Sequence, residues 1–497
     1  MTTDAATSSQ DERVDPEAEP APATRREAPW LVLAALAAVI ICVQSAMRPL
    51  DDIDLYWHLL VGEDILGGTP VTDAAHGWSF APVPDTWVTT QWLGEVFFAW
   101  LHRVGGFQAM VVYRTATVIL ALAVLAAVTL KGRPARAGAW PFAVAGLALA
   151  FFSQDRTQQI SYILAPLVGW WALQLWRSGR LPRWWIVLPL VVVWANVHGG
   201  WLILPMALVL ASIARALDAG LFDRAVVRGL LLAIGCALAA AVAPSGIDNV
   251  LSFRRFADST DAIAEWGAAR AFDPQALPLG IMAITVVVAW ALGRARPTRG
   301  EVALVVTLVV FGYSAWRSIT PACLILAPLV TGSLARALGL DDPLPRGTRQ
   351  PLARTALGAA AVGAVLALVL SVLQQPVLDP DFPMKLLRQL RDDPLPQRVL
   401  NTYNIAGPLL YFGGPPPHVI VGVDGRADRY GNDYIDRYMN TLMQAAPGYE
   451  DMLEELAPTT ALLKVDEPLA GVLEHQRGWT VLGTEGRYVL LKAPQPS

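Results

Sequence analysis

Charge is scarce in this sequence. Asp, Glu, Lys and Arg make up 16% of its 497 residues, against roughly 25% in soluble domains, too few to cover a water-exposed surface. The net charge of −4 gives no basic excess and no reason to expect nucleic acid. Cysteine is scarcer still. Cys42, Cys236 and Cys323 are the three, each inside an apolar block, and they supply neither a disulfide framework nor a metal-ligand spacing. They read as small buried hydrophobes. The first 29 residues lack apolar content, being rich in Asp, Glu, Ala, Pro, Ser and Thr. They read as a disordered cytoplasmic tail, residues 1–29. No cleaved leader is expected, because the block at 30–50 is long enough to span and shows no clear cleavage site.

What is abundant is apolar residue, 54% of the chain, gathered in long blocks. A bilayer core about 30 Å thick takes roughly 20 such residues at 1.5 Å each. Blocks that fit lie near 30–50, 106–130, 137–152, 158–176, 183–197, 201–217, 226–243, 276–293, 301–316, 319–338 and 353–374. The expected fold class is therefore mainly α. It is a polytopic helical bundle of about eleven transmembrane helices over 30–374, with an outer loop at 51–105.

Positive charge collects in alternate connections: Lys131, Arg133 and Arg136; Arg177, Arg180 and Arg183; Arg215, Arg224 and Arg228; Arg294, Arg296 and Arg299. Arg336, Arg346, Arg349 and Arg354 continue the series, and Arg25 and Arg26 precede the first block. That bias places the N-terminus in the cytoplasm. An odd number of spans then places the C-terminal stretch, 375–497, outside. There the composition changes, with short strands at Arg398–Leu400, Val419–Val423, Ala461–Val465 and Tyr488–Lys492 between Gly/Pro turns. Helical periodicity runs over Met384–Arg391 and Tyr434–Ala446. A small extracytoplasmic α/β domain follows.

Polar residues gather on that outer side. Asp51, Asp52 and Asp54 stand where the first block ends, followed by His58, Glu63 and Asp64. Like charges so crowded raise one another's pKa values, and such a cluster suits a general base or a cation site. The structural reading beside it is helix capping at a water interface. If a helix starts near Asp52, then Asp54 and His58 lie one turn apart on one face. The stretch from Trp87 to Val104, with Glu95, mixes aromatics and charges as an interfacial helix does. Arg156, His198, Arg254, Arg255, Glu265 and Arg317 occupy later outer connections. Ionisable groups at membrane depth face a cavity or a partner, and arginines beside acids suit an anionic ligand plus a base. In the tail, Asp424, Gly425 and Arg426 form the densest polar motif, readable as a turn with a structural ion pair.

Two features together resemble the GT-C superfamily of membrane glycosyltransferases. One is the acidic motif just after the first span, Asp51, Asp52 and Asp54, with a long loop and interfacial helices behind it. The other is the multi-span body with an extracytoplasmic C-terminal domain. In detail the chain resembles a bacterial branch of uncharacterised membrane proteins. The stretches that carry this are Asp-Leu-Tyr-Trp-His-Leu (54–59), Trp-Ala-Asn-Val-His-Gly (194–199), Ile-Ala-Glu-Trp (263–266) and Val-Asp-Gly-Arg-Ala-Asp-Arg-Tyr-Gly (423–431).

The resemblance implies a polyprenyl-phosphate-linked sugar as donor, transfer outside the cytoplasmic membrane, and a loop Asp as catalytic base. On that reading Asp52 or Asp54, with Asp51 competing, takes the acceptor's proton. Arg156, Arg254, Arg255 or Arg317 holds the phosphate. His58 binds phosphate or supports the Asp, and Glu95, His198, Glu265, Asp424 and Arg426 complete the substrate contacts. A divalent cation is compatible with the cluster and required by nothing in the sequence; the acceptor is not specified. Two other classes fit parts of the pattern. A transporter would carry its ionisable groups near the midplane on broken helices, whereas these sit at span ends. A non-catalytic assembly or export partner would share the fold without needing the loop carboxylates.

Overall fold

The computed structural model describes residues 22–251, 264–293, 296–340 and 350–494. Each of the eleven apolar blocks has become a helix. The first part of the chain gives α1 (Pro22–Met47), α2 (Ile53–Leu66), α3 (Trp92–Thr129), α4 (Ala135–Phe152), α5 (Gln159–Ser178), α6 (Trp184–Val197), α7 (Ile203–Ala219) and α8 (Arg224–Ala240). Then come α9 (Leu277–Leu292), α10 (Arg299–Ser314), α11 (Ile319–Ala337) and α12 (Gln350–Leu373). All but α2 correspond to the expected spans. Among the described residues, six helical stretches are long and apolar enough to cross a membrane, while α6 and α9 are apolar but shorter. Large apolar side chains such as Leu36, Ile40, Ile284, Val365 and Leu366 are exposed on these helices. A helix satisfies its own backbone, so such faces suit lipid.

Two boundaries differ from the sequence reading. Helix α1 begins at Pro22, so residues 22–29 are helical, and residues 1–21 of the expected tail lie outside the described ones. Glu27 gives this early turn a partner. Its buried carboxylate accepts from the Ala135 amide and lies 3.2 Å from Arg136 Nε, an acid at the positive end of α4. The second difference is a break in α3. Gly105 and Gly106 leave helical geometry, Gly106 at φ 58°, which a side chain would resist. The break separates an aromatic-rich helix up to Val104 from the apolar span behind it.

The tail folds around five strands: β1 (Gln397–Asn401), β2 (Val419–Val421), β3 (Thr460–Lys464), β4 (Thr480–Glu485) and β5 (Tyr488–Lys492), in sheet order β2-β1-β3-β5-β4. The first three pair in parallel, and β5 and β4 are antiparallel. Helices α13 (Met384–Asp392), α14 (Ala406–Phe412) and α15 (Ala427–Asp436) pack with it. The expected helix at 434–446 is the end of α15 and a π turn, Arg437–Leu442.

The outer loop and the tail share one core. Leu50, Leu55, Tyr56 and Trp78 cluster with Leu386, Val399, Val421 and Leu490. Tyr56 meets Phe382, Tyr411 and Phe412 at centroid distances of 5.5, 5.8 and 5.2 Å. The loop also adds backbone pairing along the β2 edge, where the Phe80 amide donates to Val421 and the Val421 amide to Trp78. An edge so covered no longer offers free amides. This docking packs the start of α2 against α14, where Gly407 closely approaches the Ile53 carbonyl.

Candidate functional site

Asp52 is the N-cap of α2. Its φ and ψ are −81° and 110°, and Oδ1 accepts from the Asp54 amide at 3.0 Å. The capping expectation therefore holds for this residue, yet its other oxygen has a second task. Asp52 Oδ2 accepts from Arg156 Nε at 2.6 Å. Arg156 stands in the short connection between α4 and α5, and its fork takes two more acids: Asp54 Oδ2 lies 2.9 Å from Nη2 and Glu265 Oε2 2.8 Å from Nη1. One guanidinium thus gathers acids from the start of α2 and from the turn at Ala264–Trp266.

Burial divides the three carboxylates. The Asp52 side chain is 0% exposed, Asp54 26% and Glu265 36%. Loss of water raises the Asp52 pKa, opposed by Arg156 and reinforced by Asp54. Arg156 lies well above its ordinary value, because the charges of Asp52, Asp54 and Glu265 outweigh its own desolvation. Asp54 Oδ1 accepts from Trp57 Nε1 at 3.0 Å, which fixes the carboxylate while leaving it open to the outside. Arg317 lies 4.6 Å over the Trp266 ring, close enough for Glu265, Arg156 and Asp54 to act on its charge.

His58, one turn on from Asp54, points Nδ1 at Glu95 Oε1, 3.0 Å away, and both side chains are buried. Glu95 Oε2 has no hydrogen-bond partner among the described residues. His198 forms a second, half-buried imidazole. Trp194 Nε1 donates to Ser161 Oγ at 2.9 Å, so the serine proton goes to His198 Nδ1 at 2.8 Å, where the Gly200 amide also donates. Nδ1 is therefore the acceptor and Nε2 carries the proton of the neutral ring. Burial, then the charges of Arg317, His58 and Arg156, push this histidine down to about 3.

A pH dependence follows. An unfolded histidine titrates near 6.5, so between about 6.5 and 3 the unfolded chain binds one more proton than the folded one. The stability this ring contributes is complete above 6.5. Below that it falls by up to about 1.4 kcal/mol per pH unit. The unfolding midpoint of wild type should drop more steeply than that of His198→Gln from pH 6.5 to 4, and parallel curves would contradict the assignment.

Other expected site residues are placed differently. Asp51 pairs with Arg48 at 3.1 Å and stays off the Arg156 fork. Asp424 and Arg426 face each other as a bidentate pair, with Nη2–Oδ2 2.6 Å and Nε–Oδ1 2.9 Å. Each side chain is 1% exposed. Arg426 also donates to Ala75 and lies between the rings of Trp78 and Trp87. Both side chains are sealed from solvent, as the structural ion pair read from this motif would be. Gly425 between them is the residue that reaches the site. A Cβ there would stand 2.5 Å from Trp57 Nε1 and 3.0 Å from Asp54 Oδ1. Arg254 and Arg255 lie outside the described residues.

The structure also brings in residues that were not anticipated. Arg114, buried in the span of α3, donates to Ser45, Arg48 and Pro49 carbonyls at the end of α1 and to Asp155 Oδ2 at 2.6 Å. It thereby joins the chain just before Asp51 to the residue just before Arg156. Its lone charge within an apolar block was the available signal. Tyr403 is near enough to Asp54 that burial first, then this carboxylate, raise its pKa. Among the described residues no group of three or more His, Cys, Asp or Glu is arranged to hold a metal ion, and a guanidinium sits between the three carboxylates.

No family model matches the chain, and no curated protein matches it. Solved structures similar to it include that of ArnT from Cupriavidus metallidurans bound to undecaprenyl phosphate. It has 14% identity, 94% of this chain and 99% of that chain covered, and a TM-score of 0.49. The apo state of the same protein gives 17% identity over 94% and 99%, with a TM-score of 0.47. The arabinofuranosyltransferase AftD from Mycobacteria gives 16% identity, 93% of this chain, 41% of that chain and a TM-score of 0.43.

Proposed function

We propose that this chain is a multi-pass membrane glycosyltransferase that moves a sugar from a polyprenyl-phosphate donor to an acceptor on the extracytoplasmic side. The observation that carries the reading is the unequal pair of acids on Arg156. Asp52 is sealed and structural, and Asp54 is fixed yet open. A base must be held in place and still reach its substrate. Asp54 takes the proton of the acceptor hydroxyl, the acceptor oxygen bonds to the anomeric carbon, and the bond from that carbon to the phosphate oxygen breaks. Polyprenyl phosphate leaves with that electron pair. Arginine suits the phosphate oxygens, and Arg317 and Arg156 are the described candidates. The orientation rests on loop charge. Lys131, Arg133, Arg136, Arg177, Arg180 and Arg183 lie in connections on the opposite side of the bundle from Arg156.

The test is release of polyprenyl phosphate from labelled lipid-linked sugars by purified protein in lipid, with membrane extract supplying acceptors. Asp54→Asn should lower kcat by about 10²–10⁴ at an unchanged unfolding midpoint, while Asp51→Asn should stay close to wild type. An Asp54→Asn protein as active as wild type would remove Asp54 as the base.

A further inference from the structure

Arg156 is a candidate seat for the donor phosphate, but in this structure all three of its nitrogens already face carboxylates. Two of those acids belong to the fixed turn at the start of α2. The third, Glu265, comes from the separate turn Ala264–Trp266 and is the most exposed of the three, at 36%. The next residue, Trp266, lies under the Arg317 guanidinium. The Trp316 amide donates to Gly267 and the Ala269 amide to Tyr313, so the segment is docked against the end of α10 and the turn that leads into α11. One short piece of chain therefore covers both described arginines of the site, one through an acid and one through a ring.

Charge makes this more than a lid of convenience. Asp52, Asp54 and Glu265 carry three negative charges against the two positive charges of Arg156 and Arg317. The described cluster is thus negative by one before any anion enters. A phosphodiester carries one negative charge, whereas a phosphate monoester carries about −1.5 to −2 at neutral pH. A carboxylate at contact distance from the seat repels the second more than the first.

Resting on the glycosyltransferase reading, we propose that Glu265 is a specificity-determining residue. It occupies the anion seat on Arg156 when the site is empty, yields it to the singly charged donor phosphodiester, and disfavours the doubly charged product. No covalent change is involved. One ion pair, Arg156–Glu265, is exchanged for another, Arg156–phosphate, and is re-formed when the product leaves.

The experiment measures binding of two defined lipids to wild type, Glu265→Gln and Glu265→Asp in nanodiscs: a short-chain polyprenyl phosphate and its methyl diester. Glu265→Gln should bind the monoester at least about tenfold more tightly than wild type, with a clearly smaller gain for the diester. Its turnover should fall as product is retained. Glu265→Asp keeps the charge and should restore the wild-type preference between the two lipids. A Glu265→Gln protein that binds the monoester no better than wild type, or that gains equally on both lipids, overturns the proposal. Wild type that binds neither lipid would instead overturn the glycosyltransferase reading on which it rests. Equal unfolding midpoints of the variants keep these outcomes separate from misfolding.

Discussion

Arg156→Gln should abolish turnover and lower stability by about 3–5 kcal/mol, the range found when one partner of a buried ion pair is removed. Asp52 is the reason for the size of the effect. Its side chain is fully buried, and without the guanidinium only the Asp54 amide remains as a donor to it. The carboxyl can escape by binding a proton, and its pKa is already raised by burial. The loss should therefore be smallest in acid and grow as pH rises through the raised value that Asp52 has in the folded wild type. Adding Asp52→Asn to Arg156→Gln removes the stranded charge and should recover most of the stability without recovering activity. Denaturant unfolding of the two single variants and the double variant gives the coupling energy directly. A single variant within about 0.5 kcal/mol of wild type would show that the fork holds nothing.

The second large effect is expected at Arg426, in the tail domain. Arg426→Met leaves Asp424 buried without its bidentate partner and withdraws the donor to Ala75. The cost should again be about 3–5 kcal/mol. It also removes the charge held between Trp78 and Trp87, which ties the outer loop to the tail. Activity should disappear as well, because Gly425 is the residue seated on Trp57 and Asp54. Limited proteolysis should cut the loop around residues 68–91 far faster than in wild type, while the spans stay resistant. Unchanged cleavage there would mean that the loop docks without this pair.

Much of this arrangement was legible in the sequence, for reasons that can be named. Span positions follow from runs of apolar residues, and all eleven blocks are helices. The one-turn relation of Asp54 and His58 needed only a helix start at Asp52, and Asp52 is the cap. Other features depend on packing between distant segments. The sequence could not tell that Asp51 turns to Arg48 while its two neighbours turn to Arg156, since the three acids differ only in direction from the backbone. Strand β4 was missed because it is an edge strand with mostly exposed positions and a register shift at Gly483, so no alternation marks it. The motif around Asp424 reads as a turn with a structural ion pair, and that pair is present, whereas the approach of its glycine to Trp57 and Asp54 depends on tertiary packing.

Residues 52–58, 156, 265, 317 and 425 meet at one place, although they come from the beginning, middle and end of the chain. During synthesis the acids of α2 emerge first, and Gly425 only after every span has been made. Contacts between residues this far apart in sequence form late. Under the proposed activity, a chain that stalls before its tail, or loses that tail to a protease, would possess the base and the arginine without the surface that closes over them. Completion of the site would then coincide with completion of the protein, and truncated products in the membrane would be unable to consume the lipid-linked sugar pool.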